Sequence, residues 1–201
     1  DAGTDAPITC NADLQTDPKN CGACAHDCLG GACTAGKCQP KAIVTTNFPR
    51  YLQTDADHIY FTDADLEADR VMSKANGTVQ TLCTTPGSGI YELVVDGSNV
   101  YFTFATQSDG GEVGGIASCP LTGGAATVLA PGQSYPYSLV RDGTTLYWAE
   151  SGDPAPIMRR MGTTTSQIAT GAPGADVTLA PLNGYLYVAN DTSGGTLQRC
   201  P

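Results

Sequence analysis

The side chains best able to do chemistry in this 201-residue sequence are its nine cysteines. Six of them, Cys10, Cys21, Cys24, Cys28, Cys33 and Cys38, are crowded into one stretch with almost nothing apolar between them. Such a stretch cannot bury a core, so something covalent must hold it, and three disulfides are the natural reading. Six cysteines allow fifteen pairings, and spacing does not choose among them. Zinc could use Cys21, Cys24 and their neighbours, but six thiols are too many for one tetrahedral site. Covalent haem needs a histidine directly after Cys-x-x-Cys, and here Ala25 intervenes before His26. A redox Cys-x-x-Cys belongs at the start of a helix beside a strand, which nothing here suggests. If the six pair among themselves, Cys83, Cys119 and Cys200 are left, and three cannot all pair. An odd cysteine in a secreted protein points to a free thiol or to a bond with another molecule. Cys200, Cys119, Cys83 and the terminal carboxyl of Pro201 are therefore the candidates for an intermolecular link.

The richest polar stretch is Asp63-Ala-Asp-Leu-Glu-Ala-Asp69. Asp63, Asp65, Glu67 and Asp69 offer hard oxygen ligands that suit calcium. The spacing starts like an EF-hand loop, but Ala68 stands where glycine is required and Lys74 where the final acid should be. A solvated loop between strands is the first reading, with calcium the one ion the set could hold. No other cofactor is expected. Of the two histidines, His26 falls in the cysteine-rich stretch and His58 begins a strand. Gly-x-Ser-x-Gly, His-Glu-x-x-His and phosphate-loop patterns are absent, so no catalytic residue is assigned. Asn76-Gly-Thr and Asn190-Asp-Thr match the glycan acceptor pattern, which matters only on a eukaryotic secretory route.

Composition sets the frame for these groups. Only 15% of residues are charged, and 24 glycines and 13 prolines accompany many β-branched and aromatic residues. No segment keeps a helical period, so an all-β fold with many turns is expected. The formal net charge of −10 repels nucleic acid and anionic membrane surfaces. No apolar run approaches the ~20 residues of a membrane helix. Nine cysteines argue for an oxidising compartment, extracellular or at the cell surface. No signal peptide is present, and Asp1-Ala-Gly-Thr-Asp-Ala-Pro7 reads as a mature end or a tether. The expected domains are a flexible tail over 1–9, a disulfide module over 10–40 and a β domain over 41–201.

The β domain carries an internal repeat. His58-Ile-Tyr-Phe-Thr-Asp63, Asn99-Val-Tyr-Phe-Thr-Phe104, Thr145-Leu-Tyr-Trp-Ala-Glu150 and Tyr185-Leu-Tyr-Val-Ala-Asn190 superimpose, so Tyr60, Tyr101, Tyr147 and Tyr187 hold one place roughly forty residues apart. A tight turn precedes each: Asp55-Ala-Asp57, Asp96-Gly-Ser98, Asp142-Gly-Thr144 and Asn183-Gly184. Asp-Gly and Asn-Gly supply the positive φ of two-residue hairpins. Inner strands are expected at 51–54, 91–95, 137–141 and 177–181, third strands at 70–74, 115–120, 156–161 and 196–200, and outer strands at 78–84, 126–130 and 166–170. The last unit has only three strands. Residues 42–48, ended by Phe48-Pro49 as Pro-Gly pairs end the other outer strands, are expected to supply the fourth. The tyrosine rows read as packing between neighbouring sheets.

Four-strand repeats of this length are the signature of a β-propeller. Val95-Asp-Gly-Ser-Asn-Val-Tyr-Phe-Thr103 and Arg141-Asp-Gly-Thr-Thr-Leu-Tyr-Trp148 resemble the YWTD and NHL-like propeller repeats of secreted bacterial proteins. Asn20-Cys-Gly-Ala-Cys24 resembles small cysteine-rich modules placed before such propellers. Those families usually carry six blades, whereas four units are counted here. The expectation is a four-bladed ring closed by the N-terminal strand, because closure removes exposed edges. The alternatives are a part of a larger propeller, or a strand given to a neighbouring molecule. In the closed ring Cys200 would lie near residues 38–41.

For function, the expectation is a non-catalytic extracellular structural protein. It would assemble with itself into a filament or matrix through the module, a donated strand or the odd cysteine. The alternative is a cell-surface recognition module that binds a peptide or glycan through loops such as 105–111 and 151–155. An enzyme with calcium in a central channel ranks third.

Overall fold

Strand formers alternate with polar residues through most of the chain, and where the turns fall decides the architecture. A computed structural model describes residues 11–46, 48–63, 68–73, 77–84, 89–108 and 111–200, with 68–73, 107–108 and 111–112 described by backbone alone. The chain divides into two compact units between Thr45 and Thr46.

The first unit is a series of turns with one short hairpin, β1 (Cys33–Thr34) and β2 (Lys37–Cys38). Disulfides join Cys21 to Cys33 and Cys28 to Cys38. Cys24 is disulfide-bonded as well, while Cys10 lies outside the described residues. Among the described residues the unit's buried apolar side chains are Cys21 and Cys33 themselves, so the bridges do the work of a core. The Cys21, Cys28 and Cys38 sulfurs lie within 4.8 Å of one another. Each is in a disulfide and so has no thiolate to offer a metal in this form. Gly22 is required by geometry: its φ is +73° and a Cβ would sit 2.5 Å from the Gly36 carbonyl oxygen.

The second unit consists, among the described residues, of four antiparallel sheets in chain order. The first is β3 (Pro49–Thr54), β4 (His58–Asp63), β5 (Ala68–Ser73) and β6 (Val79–Thr84). The second is β7 (Gly89–Val95), β8 (Asn99–Ser108), β9 (Gly111–Pro120) and β10 (Thr127–Gln133). The third is β11 (Tyr137–Asp142), β12 (Thr145–Ala149), β13 (Pro156–Met161) and β14 (Thr164–Thr170). The fourth is β15 (Asp176–Leu182), β16 (Tyr185–Asp191) and β17 (Thr196–Cys200). Within each sheet every strand pairs with the next in sequence, as short hairpin turns dictate. Gly97, Gly143, Asn183 and Gly184 take the positive φ expected of them.

The sheets stack through their faces. β3 packs beside β7, β7 beside β11 and β11 beside β15, whereas β15 and β3 share no comparable contact. Three apolar clusters fill the three interfaces: Tyr60 and Leu82 against Leu93, Val100 and Phe102; Val94 and Ile116 against Leu139, Leu146 and Trp148; Ala149 and Ile157 against Val177, Leu179, Leu186 and Val188. Tyr60, Tyr101 and Tyr147 sit one in each cluster, so the tyrosine rows do pack between sheets.

Two expectations need correction. Residues 42–46 and 48 form no strand, and the last sheet has three strands among the described residues. The reason is local: the Thr46 hydroxyl donates to the Asp63 carboxylate at the end of β4, which ties the entering chain to the first sheet. Residues 105–108 and 111 of the predicted loop at 105–111 are instead ladder, since β8 and β9 pair out to Ser108 and Gly111. Gly114 and Gly115 permit this extension, for a Cβ there would meet the Phe104 carbonyl oxygen at 2.2 Å and the Ala130 carbonyl oxygen at 2.6 Å.

Candidate functional site

The hairpin turns before the tyrosine strands build the first polar constellation. In the first sheet one Asp55 oxygen accepts the amides of Asp57 and His58 at 2.8 and 2.7 Å, and the other accepts the Tyr60 hydroxyl at 2.7 Å. The second sheet repeats this with Asp96, whose carboxylate accepts the Ser98 and Asn99 amides and the Tyr101 hydroxyl at 2.9, 2.8 and 2.8 Å. Arg141 of the third sheet adds an ion pair to Asp96 at 3.0 Å and lies over the Tyr101 ring. The Tyr60 hydroxyl, with the Asp57 and His58 amides, holds the Asp55 carboxyl down at about 2. Burial and the neighbouring carboxylate push Tyr60 well above the usual phenol range. Burial pushes the Asp96 carboxyl up, but its amide, tyrosine and arginine partners outweigh it and leave it below the ordinary value. These groups are structural. His58 Nδ1 lies 3.5 Å from Asp55 in the same turn, and His26 Nδ1 lies 2.6 Å from the Cys21 carbonyl oxygen.

A second constellation lies along the inner strands. A Glu92 carboxylate oxygen accepts the Leu139 amide of the next sheet at 2.5 Å. The Ser138 hydroxyl accepts the Leu179 amide of the sheet after that at 2.8 Å. Both acceptors stand immediately before a leucine, and both reach the corresponding leucine one sheet on. β-Bulges permit the reach, since β3, β7 and β11 each slip register within the strand. Ser138 takes a φ of +53° there. Glu92, Tyr137, Ser138, Asp176 and Thr178 also line a concavity of about 410 Å³. Burial pushes the Glu92 carboxyl up, more than the Ser138 and Leu139 amides pull it down. The concavity offers carboxylate and hydroxyl acceptors, with Glu92 already engaged by an amide. Sequence reading missed Glu92 and Ser138. The signal was the repeated polar-Leu pair: Glu92-Leu93, Ser138-Leu139 and Thr178-Leu179.

Asp63 belongs to a third set. Its position matches Asn190, whose Oδ1 accepts the Ala172 amide at 2.6 Å. Asp63 likewise ties the chain entering its sheet, through Thr46, and its second oxygen is buried without a partner among the described residues. Asp65 and Glu67 lie outside the described residues, as does the Asp69 side chain. Asp63 is thus the one member of the acidic set whose side chain is described, and Thr46 holds one of its oxygens. Asn190 is buried and holds Thr196 Oγ1 at 3.1 Å, so it is not presented as a glycan acceptor. Asn76 lies outside the described residues, as does Pro201.

The faces at the two ends of the stack differ from all others. Leu52, Leu93, Leu139 and Leu179 occupy one place on the inner strands: Leu93 and Leu179 pair with Phe102 and Val188, and Leu52 and Leu139 stand at the bulge just before Gln53 and Val140, which pair with Tyr60 and Tyr147. Leu93, Leu139 and Leu179 each pack on the preceding sheet and are 4% exposed, whereas Leu52 is 68% exposed. The face toward the following sheet behaves the same way. Ile116, Ile157 and Leu197 pair with Thr103, Ala149 and Ala189 across their hairpins. Ile116 and Ile157 are 0% exposed and Leu197 is 73% exposed. Leu182 is also exposed at the far end of the last sheet, where the Arg199 guanidinium lies over the Tyr185 ring, and Phe48 and Tyr51 are exposed in the chain before Leu52.

Of the intermolecular-link candidates, Cys83 and Cys119 are buried in the cluster between the first two sheets. Cys200 is half-buried, carries a free thiol and packs against the last cluster. The strand pairing that would have set it near residues 38–41 is not formed among the described residues.

No family model matches the sequence, and no curated protein does either. Solved structures do match. The nidogen/laminin complex aligns at 19% identity and TM-score 0.59, over 76% of this chain and 60% of that one. Streptogramin B lyase aligns at 16% identity and TM-score 0.56, over 76% and 54%. These neighbours are propeller-type folds. The fold is that of a β-propeller. The computationally designed Ika4 protein aligns at 12% identity and TM-score 0.55, over 81% of this chain and 98% of that one. At such identities the likeness concerns the propeller fold alone. The propeller's chain spans about 60% or less of the first two neighbours' lengths. The disulfides in its N-terminal unit fit an oxidising environment. No helix among the described residues is long and apolar enough to cross a membrane.

Proposed function

We propose that this propeller is a non-catalytic extracellular structural protein whose copies assemble with one another. The observation that carries the reading is the pair of uncovered end faces, marked by Leu52 and Leu197, in a fold whose other sheet faces are closed. Monomeric proteins rarely leave matching apolar faces open to water. The polar groups support the same reading, because Asp55, Asp96, Glu92, Ser138, Asp63 and Asn190 are all engaged in holding turns and sheets together. The proposal requires no cofactor. Cys200 adds a route to covalent linkage between assembled copies.

Light scattering on the native protein, with and without thiol, tests the proposal. The expected result is a mass well above 20.7 kDa that grows with concentration and persists in thiol. A constant 20.7 kDa in both buffers contradicts it and favours the second function class, a recognition module.

A further inference from the structure

The inference here deepens the self-assembly reading and rests on it. We infer that the two uncovered faces dock on each other between copies, head to tail. The last sheet of one copy packs before β3 and β4 of the next, as each sheet within a copy packs before the one that follows it. The occupant of each face is therefore a second copy of this chain.

The three formed interfaces supply the template. In each, a leucine on the inner strand enters the face of the preceding sheet: Leu93 against Tyr60, Leu139 against Ile116, Leu179 against Ile157. Leu52 is the same residue type at the same place and is 68% exposed. Leu197 is the counterpart of Ile116 and Ile157 and is 73% exposed. The missing halves are complementary: one end lacks an acceptor face and the other lacks the leucine that fills one. A two-fold contact would set Leu52 against Leu52 or Leu197 against Leu197, which none of the three formed interfaces does. Repeating a head-to-tail contact leaves an unused face at each end until a ring closes or a filament grows.

The inner-strand hydrogen bonds give the same polarity. Glu92 takes the Leu139 amide and Ser138 takes the Leu179 amide, always from the residue before one leucine to the leucine of the following sheet. Thr178 precedes Leu179, carries a hydroxyl and is exposed. Continued by one sheet, the rule gives Thr178 Oγ1 the Leu52 amide of the next copy. Leu197, Ala189 and Tyr187 lie on the same face of the last sheet and would cover Leu52, with Arg199 on that face engaged over the Tyr185 ring. With a net charge of −10 per chain, copies repel one another, so an apolar contact of this kind tightens as salt screens the charge.

The test uses Leu52→Asp and Leu197→Asp in the full chain. Both sites are largely exposed, so both variants fold, as circular dichroism against wild type checks. Sedimentation velocity is run on each variant alone and on the equimolar mixture. The expected result is that wild type assembles, each variant alone is monomeric, and the mixture forms a dimer and nothing larger. Such a mixture pairs the intact last sheet of Leu52→Asp with the intact first sheet of Leu197→Asp. Thr178→Ala weakens wild-type assembly about fivefold, the loss of one hydrogen bond. Higher salt strengthens it. Wild type that assembles while the variants also assemble, or while the mixture stays monomeric, overturns the head-to-tail contact but leaves self-assembly standing. Wild type that is monomeric at every concentration removes self-assembly itself.

Discussion

Truncating the repeated leucine of the inner strands asks the same question of four sheets at once. Leu93, Leu139 and Leu179 are almost wholly buried against the preceding sheet, whereas Leu52 is 68% exposed. Leu→Ala in a packed interior costs about 2–5 kcal/mol, from lost transfer energy plus the cavity left behind. The same change at an exposed position stays within about 0.5 kcal/mol. Trp148 is the lone tryptophan and is fully buried between the second and third sheets, so its fluorescence reports unfolding in urea. In dilute protein, Leu139→Ala and Leu179→Ala lower the midpoint by an amount equivalent to about 2–5 kcal/mol with the slope unchanged. Leu52→Ala leaves the midpoint nearly where it was. At concentrations where copies assemble, the Leu52→Ala deficit grows, because assembly adds stability that the variant lacks. If dilute Leu52→Ala is as damaging as Leu139→Ala, the first sheet is already covered within its own molecule and the reasoning fails.

Three further outcomes follow from the polar groups and the thiols. Asp55 titrates at about 2 in the folded protein, and Tyr60→Phe, which removes its hydroxyl donor, brings that value back toward the ordinary 3.8; carbon-detected NMR of the carboxylates reads both. An unmoved Asp55 would show that the phenol is not its main partner. The Glu92 carboxyl has a folded value above its ordinary 4.5, so the folded state holds that proton longer than the unfolded one. Its stabilising share is complete below about 4.5 and declines as pH rises through the folded value. Glu92→Gln keeps an acceptor oxygen for the Leu139 amide without titrating. In urea melts from pH 4 upward its stability therefore improves relative to wild type, and a flat difference would contradict the assignment. Native alkylation followed by intact mass adds its first label at half-buried Cys200, while buried Cys83 and Cys119 react only in denaturant; equal rates at all three would mean the propeller core is open.

Much of this architecture is legible in the sequence because the repeat is carried by local rules. Asp-Gly and Asn-Gly set the hairpins, and the apolar-Tyr-apolar pattern sets the strand that each turn begins. Those signals locate four sheets and the tyrosine packing between them. The cysteine spacing likewise requires bridges without choosing the Cys21–Cys33 and Cys28–Cys38 pairs, since pairing depends on chain folding rather than spacing. Side-chain duties at a distance are less legible. Asp63 stands in an acidic run whose sequence offers hard oxygen ligands, and its hydrogen bond with Thr46 at the entry to the sheet is visible only in the structure. That same bond holds Thr46 to the first sheet. Glu92 and Ser138 reach across sheets 47 and 41 residues apart, beyond any local pattern. The ten-residue arms of β8 and β9 depend on Gly114 and Gly115 meeting neighbouring carbonyls, which the sequence shows only as two glycines.

The central claim is an open stack of four sheets whose two end faces are covered only between copies. Backbone hydrogen exchange, followed by mass spectrometry at rising protein concentration, tests it most directly. The account predicts that β3 and β17 exchange much faster than β11 and β12 in dilute protein. It predicts that the two end strands gain protection together as copies associate, while β11 and β12 stay unchanged. End strands as slow as the middle ones in a dilute monomer would contradict it, because the first and last sheets would then already cover each other.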